Sequence, residues 1–443
     1  RDARLGGRAG GWTDLLRDGT LFEMDRGTLR LGRSDRNVRA LIQRVDPSLA
    51  TLTPLARYPL LSPHGPISSL AHRPRATPRT VMELLRRVPS VQVRELMRAD
   101  LRLAAMLLSF DPEETYTRLD HTSAKTFLDE MRLPRAVREH LVGLVAHAAF
   151  DALERCSAAE LIGLLHAQVT GDASGVRFDV LHEPTSRAVW QPMAEYLGAR
   201  GAEIATRSDV LDVELGPPIV VRFRTRGLVR SREAAALVLA TDVPGLQRLV
   251  EASPGLAGLA AAVRSLEVSP PTAVWRLWLD RPLSVDRAPM AVSTGRGMLA
   301  AVAITDRIST EAARWAHAWG GGVVELHAYA VPESAGDAAI RANLLAQLHA
   351  TYPETRAARI IDDRFSRRRD SPAFRPGSRG SRPTVASPLP GVFLAGDYTR
   401  LPFPSAPLER AASSGFLAAN AILGGLGKRT RPIAHVPIRG ALA

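Results

Sequence analysis

Apolar positions at Val38, Leu41, Ile42 and Val45 follow three- and four-residue spacing, which predicts a helix over 36–46 that stops before Pro47. A longer helical tract is predicted over 81–150. Within it Val93, Met97, Leu101, Ala104 and Leu108 form an apolar stripe, flanked by Arg94, Arg98 and Arg102. Such a pattern suits a helix lying on a membrane surface, and equally a helix packed on a core with a solvated arginine face. Further helices are predicted over 157–170, 190–200, 336–350 and 405–423. Strands are predicted over 202–206, 210–215, 219–224, 235–240, 272–280, 322–332 and 391–395. The clearest alternation is in Val274-Trp275-Arg276-Leu277-Trp278-Leu279. Residues 1–27 read as a glycine-rich loop with short strands, 51–79 as short strands and loops, and the basic stretch 364–383 as a solvated connection. No internal repeat is evident.

Composition narrows this picture. With 443 residues, 45% hydrophobic and 23% charged, the chain is of ordinary globular type and long enough for two domains. Aromatic residues make up only 5%, so a large apolar ligand would be held mainly by aliphatic side chains. The single cysteine, Cys156, excludes an intramolecular disulfide and any cysteine-built zinc or iron–sulfur centre, and fits a reducing cytoplasm. The net charge of +13 favours an anionic partner such as a membrane face, or reflects arginine-rich codon usage. Nucleic acid is not expected, because no binding motif is present and the arginines are not interleaved with stacking aromatics. The sequence holds no run of 18 or more uncharged apolar residues, so no bilayer span is expected, and the Arg1-Asp2 opening is not that of a signal peptide.

Three segments carry chemistry. Leu5-Gly6-Gly7-Arg8-Ala9-Gly10-Gly11 lets the backbone approach a ligand and offers an arginine to a diphosphate. The strands over 210–215 and 235–240, the second ending in Ala240-Thr241-Asp242, have the form of a sheet that re-enters a dinucleotide-binding domain. In Pro390-Gly391-Val392-Phe393-Leu394-Ala395-Gly396-Asp397, a strand delivers a glycine for close approach and an aspartate to accept from ribose or ribityl hydroxyls. The helix that follows points its positive end at the same place.

In this order and at these distances, the segments resemble the amine-oxidase and phytoene-desaturase superfamily of FAD enzymes. Within it the chain looks most like carotenoid desaturases of the isorenieratene-synthase type, which aromatise β-carotene end rings with a methyl shift. The matching stretches are Met24-Asp25-Arg26-Gly27, Asn37-Val38-Arg39-Ala40-Leu41, Phe178-Asp179-Val180-Leu181, Val324-Glu325-Leu326-His327-Ala328-Tyr329, Leu401-Pro402-Phe403-Pro404-Ser405-Ala406, and Leu408-Glu409-Arg410-Ala411-Ala412-Ser413-Ser414-Gly415.

The resemblance implies a two-domain α/β fold, an FAD-binding Rossmann-like domain of amine-oxidase type with an α+β substrate domain. The FAD-binding segments would be 1–50, 196–265 and 386–428, the substrate segments 51–195 and 266–385, with a tail over 429–443. Gly6, Gly7 and Arg8 would lie along the diphosphate and ribityl chain of FAD, and Val210 would contact adenine through its backbone. Gly396 and Asp397 would hold diphosphate and ribitol, with Ala406 and Leu408 beside the flavin ring. Relatives begin with a strand, a GxGxxG turn, a helix and a strand ending in a ribose-binding acid. This chain opens just after that acid, so its N-terminal βαβ portion is expected to be incomplete and its hold on FAD weakened. After Gly27, Thr28-Leu29-Arg30-Leu31-Gly32 replaces an aromatic- and histidine-containing run, which leaves the substrate open.

The expected reaction is dehydrogenation of a lipid-soluble isoprenoid at the inner face of the membrane, a chemistry that needs few titratable groups, and no catalytic residue is assigned. The eleven histidines, including His140 and His147, show no metal-ligand spacing, and no nucleophile elbow is present. His327 reads as a packing residue and Glu409 as a support or cap. Two alternatives remain at this point: a superfamily member acting on phytoene, squalene or an amine, and an FAD-free membrane-binding relic.

Overall fold

The computed structural model describes residues 2–62, 65–67, 98–135, 137, 138, 151–172, 177–293, 297–440 and 443. Val93, Arg94 and Met97 of the predicted stripe, and His140 and His147, lie outside them. From the predicted 81–150 tract, three short helices are described, Leu101–Ala105, Pro112–Leu119 and Ala124–Glu130.

Strands are numbered in chain order. The largest sheet is built around β12 (Thr272–Leu279), which pairs antiparallel with β15 (Gly322–Ala328) and β16 (Ile360–Arg368), placing Trp275 between Leu326 and Phe365. It continues through β14 (Leu299–Ile304), β13 (Met290–Ser293), β5 (Leu60–Ser62) and β6 (Gly65–Ile67). Both faces are covered. On one, Ile340, Leu344 and Leu348 of the helix Asp337–Thr351 pack over Leu277, Val324 and Leu326. On the other lies the hairpin β1 (Gly11–Leu15) and β2 (Leu21–Asp25), whose Phe22 meets Trp278 edge-on at 5.2 Å between ring centroids. Burying two such rings contributes about 2–3 kcal/mol each. It also fixes the end of β2, Asp25-Arg26-Gly27, over the sheet.

A second, parallel pair joins β11 (Leu237–Leu239) to β17 (Val392–Leu394), so distant parts of the chain lie side by side. The helix Val243–Ala252 packs on this pair through Val243, Leu246 and Leu249. A meander of β8 (Ser208–Glu214), β9 (Ile219–Thr225) and β10 (Leu228–Ala234) adjoins it. A small sheet of β3 (Arg30–Gly32), β7 (Phe178–Leu181) and β4 (Leu52–Pro54) completes the set. Mixed α/β layers with several sheets are the architecture the sequence implied.

Two expectations are corrected. Residues 202–206 form no strand: they are exposed and pair with no strand, Ala202 N donating back to Leu197 O of the preceding helix at 3.1 Å and Thr206 O accepting from Ser208 Oγ at 3.2 Å. The stretch 364–383 is not a solvated connection. Its first part closes β16, where Arg364 pairs with Asp14 and Asp362, and Phe374 and Arg382 are buried further on.

Candidate cofactor and active site

A cavity of ≈ 300 Å³ opens where the N-terminal turn, the end of β2, the floor of the large sheet and the start of the helix Pro407–Gly425 converge. The first wall comes from the glycine turn. Gly6 and Gly7 have φ of +109° and +51°, a region costly for any other residue. A Cβ on Gly6 would stand 2.5 Å from Trp190 Nε1, which donates to Ala9 O at 2.9 Å. The turn thereby aims Arg8 into the cavity, where it pairs with Asp397 and donates to Asp370 O at 3.0 Å.

The second wall begins at the end of β17. Gly396 has φ +154°, and a Cβ there would meet the buried Tyr398 ring at 2.5 Å. Gly396 N donates to Ser414 Oγ at 2.8 Å, so the turn is tied to the helix that follows. That helix begins after Ala406 with no side-chain cap, and Ala406, Pro407 and Leu408 face the cavity.

The floor is Thr272 and Val274 of β12, with His327 and Tyr329. Beneath it Glu325 is fully buried. Arg276 donates to Glu325 Oε2 through Nη2 at 2.5 Å, and Thr28 N donates to Oε1 at 2.6 Å. His327 Nε2 stands 2.8 Å from the same Oε1. Burial pushes the Glu325 carboxyl up, but Arg276, His327 and the Thr28 N–H together hold it well below the usual carboxylate range. Asp25 accepts from Thr185 N at 3.0 Å and Oγ1 at 2.6 Å; burial raises its carboxyl all the same. Arg30 lies at 5.4 Å from the Tyr58 ring centroid and 5.6 Å from that of Phe178. Asp35 completes this side.

Behind the helix start sits a buried ionic cluster. Glu160, from the helix Ala158–Leu165, accepts from Arg382 at 3.0 Å, from Tyr116 OH at 2.8 Å and from Arg410. Arg410 also donates to Ser405 O at 3.0 Å and to Asp397 O at 3.5 Å. The cluster therefore fixes both ends of the segment that forms the second wall.

Of the residues singled out in the sequence, Arg8, Asp397, Ala406 and Leu408 line the cavity, and Gly6, Gly7 and Gly396 shape the two turns that deliver them. Val210 is on β8, whose meander contributes nothing to the cavity lining. Asp25, Asp35 and Glu325 were not singled out as site residues. The signal for Asp25 and Glu325 was present, since both fall in stretches of family resemblance. Asp35 falls outside those stretches, and its residue type alone marks no site.

The cavity fits a dinucleotide flavin at its flavin end. Gly7 has open space where a Cβ would stand, Gly6 and Gly396 let the two turns pack tightly on Trp190 and Tyr398, an uncapped helix start faces inward, and Arg8 and Asp397 offer opposite charges. Comparison with known proteins agrees. Residues 1–423 match the family of flavin-containing amine oxidoreductases, and the chain belongs to that family. It is an FAD-dependent oxidoreductase.

Among individual proteins, the chain is 41% identical over 445 residues to the carotenoid phi-ring synthase of Streptomyces griseus, covering 100% of this chain and 86% of that one. It is 36% identical over 209 residues to the carotenoid phi-ring synthase of Chlorobaculum tepidum, covering 46% and 32% of the two chains. Among solved structures, cyclohexylamine oxidase from Brevibacterium oxydans superposes with a TM-score of 0.65 at 14% identity, covering 96% of this chain and 93% of that one. A putrescine oxidase variant gives 0.65 at 16%, covering 96% and 92%. These two likenesses concern the fold alone.

Proposed function

We propose that this enzyme dehydrogenates a carotenoid or a closely related isoprenoid, acting on the end ring and aromatising it with a methyl shift. The observation that carries the reading is the end-to-end 41% identity with the Streptomyces griseus carotenoid phi-ring synthase. Bound FAD supplies the acceptor for the two electrons of a substrate C–H bond. Arg8 and Asp397, with the turns at Gly6, Gly7 and Gly396, would hold its polar chain. Ala406 and Leu408 would lie beside its ring, and Val210 is the proposed backbone contact to adenine. Leu29, Val274, Phe178 and Ala411 give the cavity an apolar lining against which a hydrocarbon ring can rest. Glu325, clamped by Arg276, holds the Gly27-Thr28 backbone against the floor and keeps that wall in place.

A substrate of this kind dissolves in lipid. Peripheral attachment to the inner, anionic face of a membrane is therefore part of the proposal, supported by the net charge of +13 and by exposed Leu101 beside Arg102. Among the described residues no helix is long and apolar enough to cross a membrane.

The test is expression in a host that accumulates β-carotene, with pigments separated by chromatography. A ring-modified carotenoid is the expected product. Unchanged β-carotene in the presence of flavin-loaded protein would rule the substrate out.

A further inference from the structure

Asp35 stands immediately before the helix Arg36–Ile42, where an aspartate ordinarily caps the first turn. Its side chain makes no such bond. Glu409, from the helix Pro407–Gly425, takes the role in its place. It accepts from Asn37 N at 2.8 Å, from Val38 N at 3.0 Å and from Asn37 Nδ2 at 2.6 Å. Asp35 is left with one side-chain hydrogen bond among the described residues, from Gly32 N to Oδ2 at 2.7 Å. It is 5% exposed and lines the same cavity as Ala406, Leu408 and Leu29.

Two buried carboxyl groups therefore oppose each other at the start of one helix. In a poorly solvated setting they cannot both ionise cheaply, and the negative charge settles on the group with more donors. That group is Glu409. Asp35, the one of the two that faces the cavity, is therefore the group that takes up a proton when one is offered.

We propose that Asp35 is the proton acceptor in the dehydrogenation, an inference that rests on the carotenoid reading above. In the step, one substrate carbon loses hydrogen with both electrons of its C–H bond, and these reduce the oxidised flavin. The neighbouring carbon gives its proton to a carboxylate oxygen of Asp35, and the electron pair left behind becomes the new C=C bond. Asp35 then returns the proton to solvent.

Burial and the facing charge of Glu409 push the Asp35 carboxyl up to about 7, close to the pH at which a proton acceptor is most effective. Arg39, on the helix that follows Asp35, pulls the other way, and burial raises Glu409 as well. Other charged or titratable groups are Arg36 beside Glu409 and His435 of the C-terminal segment, and the cavity lining adds Arg8, Asp25, Arg26, Arg30, His327, Tyr329, Arg368, Asp370 and Asp397.

The experiment follows carotenoid conversion by the flavin-loaded enzyme from pH 5.5 to 8.5. The unsubstituted enzyme should lose rate about tenfold per pH unit below the Asp35 pKa. Asp35→Asn should be slower by about 10²–10⁴-fold and lack that acid limb. Asp35→Glu should retain the limb, and Glu409→Gln, which removes the facing charge but keeps an acceptor for Asn37, should move it to lower pH.

A readout independent of turnover accompanies this. Because the folded protein holds the Asp35 proton more tightly than the unfolded chain, the parent loses stability as pH rises towards 7. The melting temperature of Asp35→Asn relative to the parent should therefore increase between pH 5.5 and 8.5. An active parent whose acid limb survives in Asp35→Asn overturns the assignment, as does a melting difference that does not change with pH. A parent that converts no carotenoid overturns the substrate reading and the base with it, which is a distinguishable outcome.

Discussion

Replacing Glu160 by glutamine tests how the second wall of the site is held. Among the described residues Glu160 is the one carboxylate paired with both Arg382 and Arg410, each of which is more than 90% buried. Glutamine keeps the shape and one acceptor but leaves two guanidinium groups without a counter-charge. Removing one partner of a buried pair costs about 3–5 kcal/mol, so Glu160→Gln should lose about that much. Arg382→Met should cost less, about 1–2 kcal/mol: it removes one of two cations, and Glu160 keeps Arg410 and Tyr116. Urea unfolding of the flavin-loaded enzyme at pH 7.5 would compare the two. Acidity offers a second check. Burial pushes the Glu160 carboxyl up, but the two arginines hold it far below the usual carboxylate range. Its stabilisation is therefore complete above the ordinary glutamate pKa and is lost as pH falls below it. Glu160→Gln should flatten that acid-side loss. Equal costs for the two variants, or an unchanged acid limb, would refute the reasoning.

Gly396→Ala should cost about 2–4 kcal/mol and lower the flavin absorbance near 450 nm, because its Cβ would be driven into Tyr398, which is fully buried and bonded to Leu239 O. A variant with normal flavin content and melting temperature would remove the close-approach argument. Gly6→Ala should likewise reduce flavin content, by displacing Trp190 from Ala9 O, yet lose only about 1–3 kcal/mol of stability, read by thermal melting. Arg276→Met strands Glu325 and should cost about 3–5 kcal/mol, while the double variant Arg276→Met/Glu325→Gln should recover part of the loss. Strictly additive losses in that urea-unfolding cycle would show that the two residues are not coupled.

The site was legible where its chemistry is local. Gly396-Asp397 follows a short apolar strand and precedes a long helix, so residue type and position gave the same message. The large sheet was only half visible, since Met290–Ser293 and Leu299–Ile304 are buried at every position and so lack the period of two that marks a half-buried strand. Ile360–Arg368 failed for the opposite reason: its charges look like those of a solvated loop, but Asp362 and Arg364 satisfy one another at a sheet edge. Asp35 and Glu409 show a limit of another kind. Glu409 reads as a support or cap and Asp35 carries no signal of its own, and nothing local says that the distant one caps the helix while the adjacent one is left facing a cavity. That exchange depends on a contact spanning 372 residues.

The pairing of β11 with β17 has a consequence for the order in which the protein is made. Arg8 and its partner Asp397 are 389 residues apart, and Tyr398 reaches back 159 residues to Leu239. At about 5–20 residues per second, the glycine turn waits on the order of 20–80 s on the ribosome before its counterpart emerges. During that interval the N-terminal hairpin and the large sheet can form, but β11 lacks its β17 partner and Glu160 lacks Arg410. The pairing of Arg8 with Asp397 therefore forms late, and a flavin held between them would act as a clasp on already folded parts. In cells short of the vitamin, the enzyme should accumulate as full-length, cofactor-free protein, and nascent fragments should not build up.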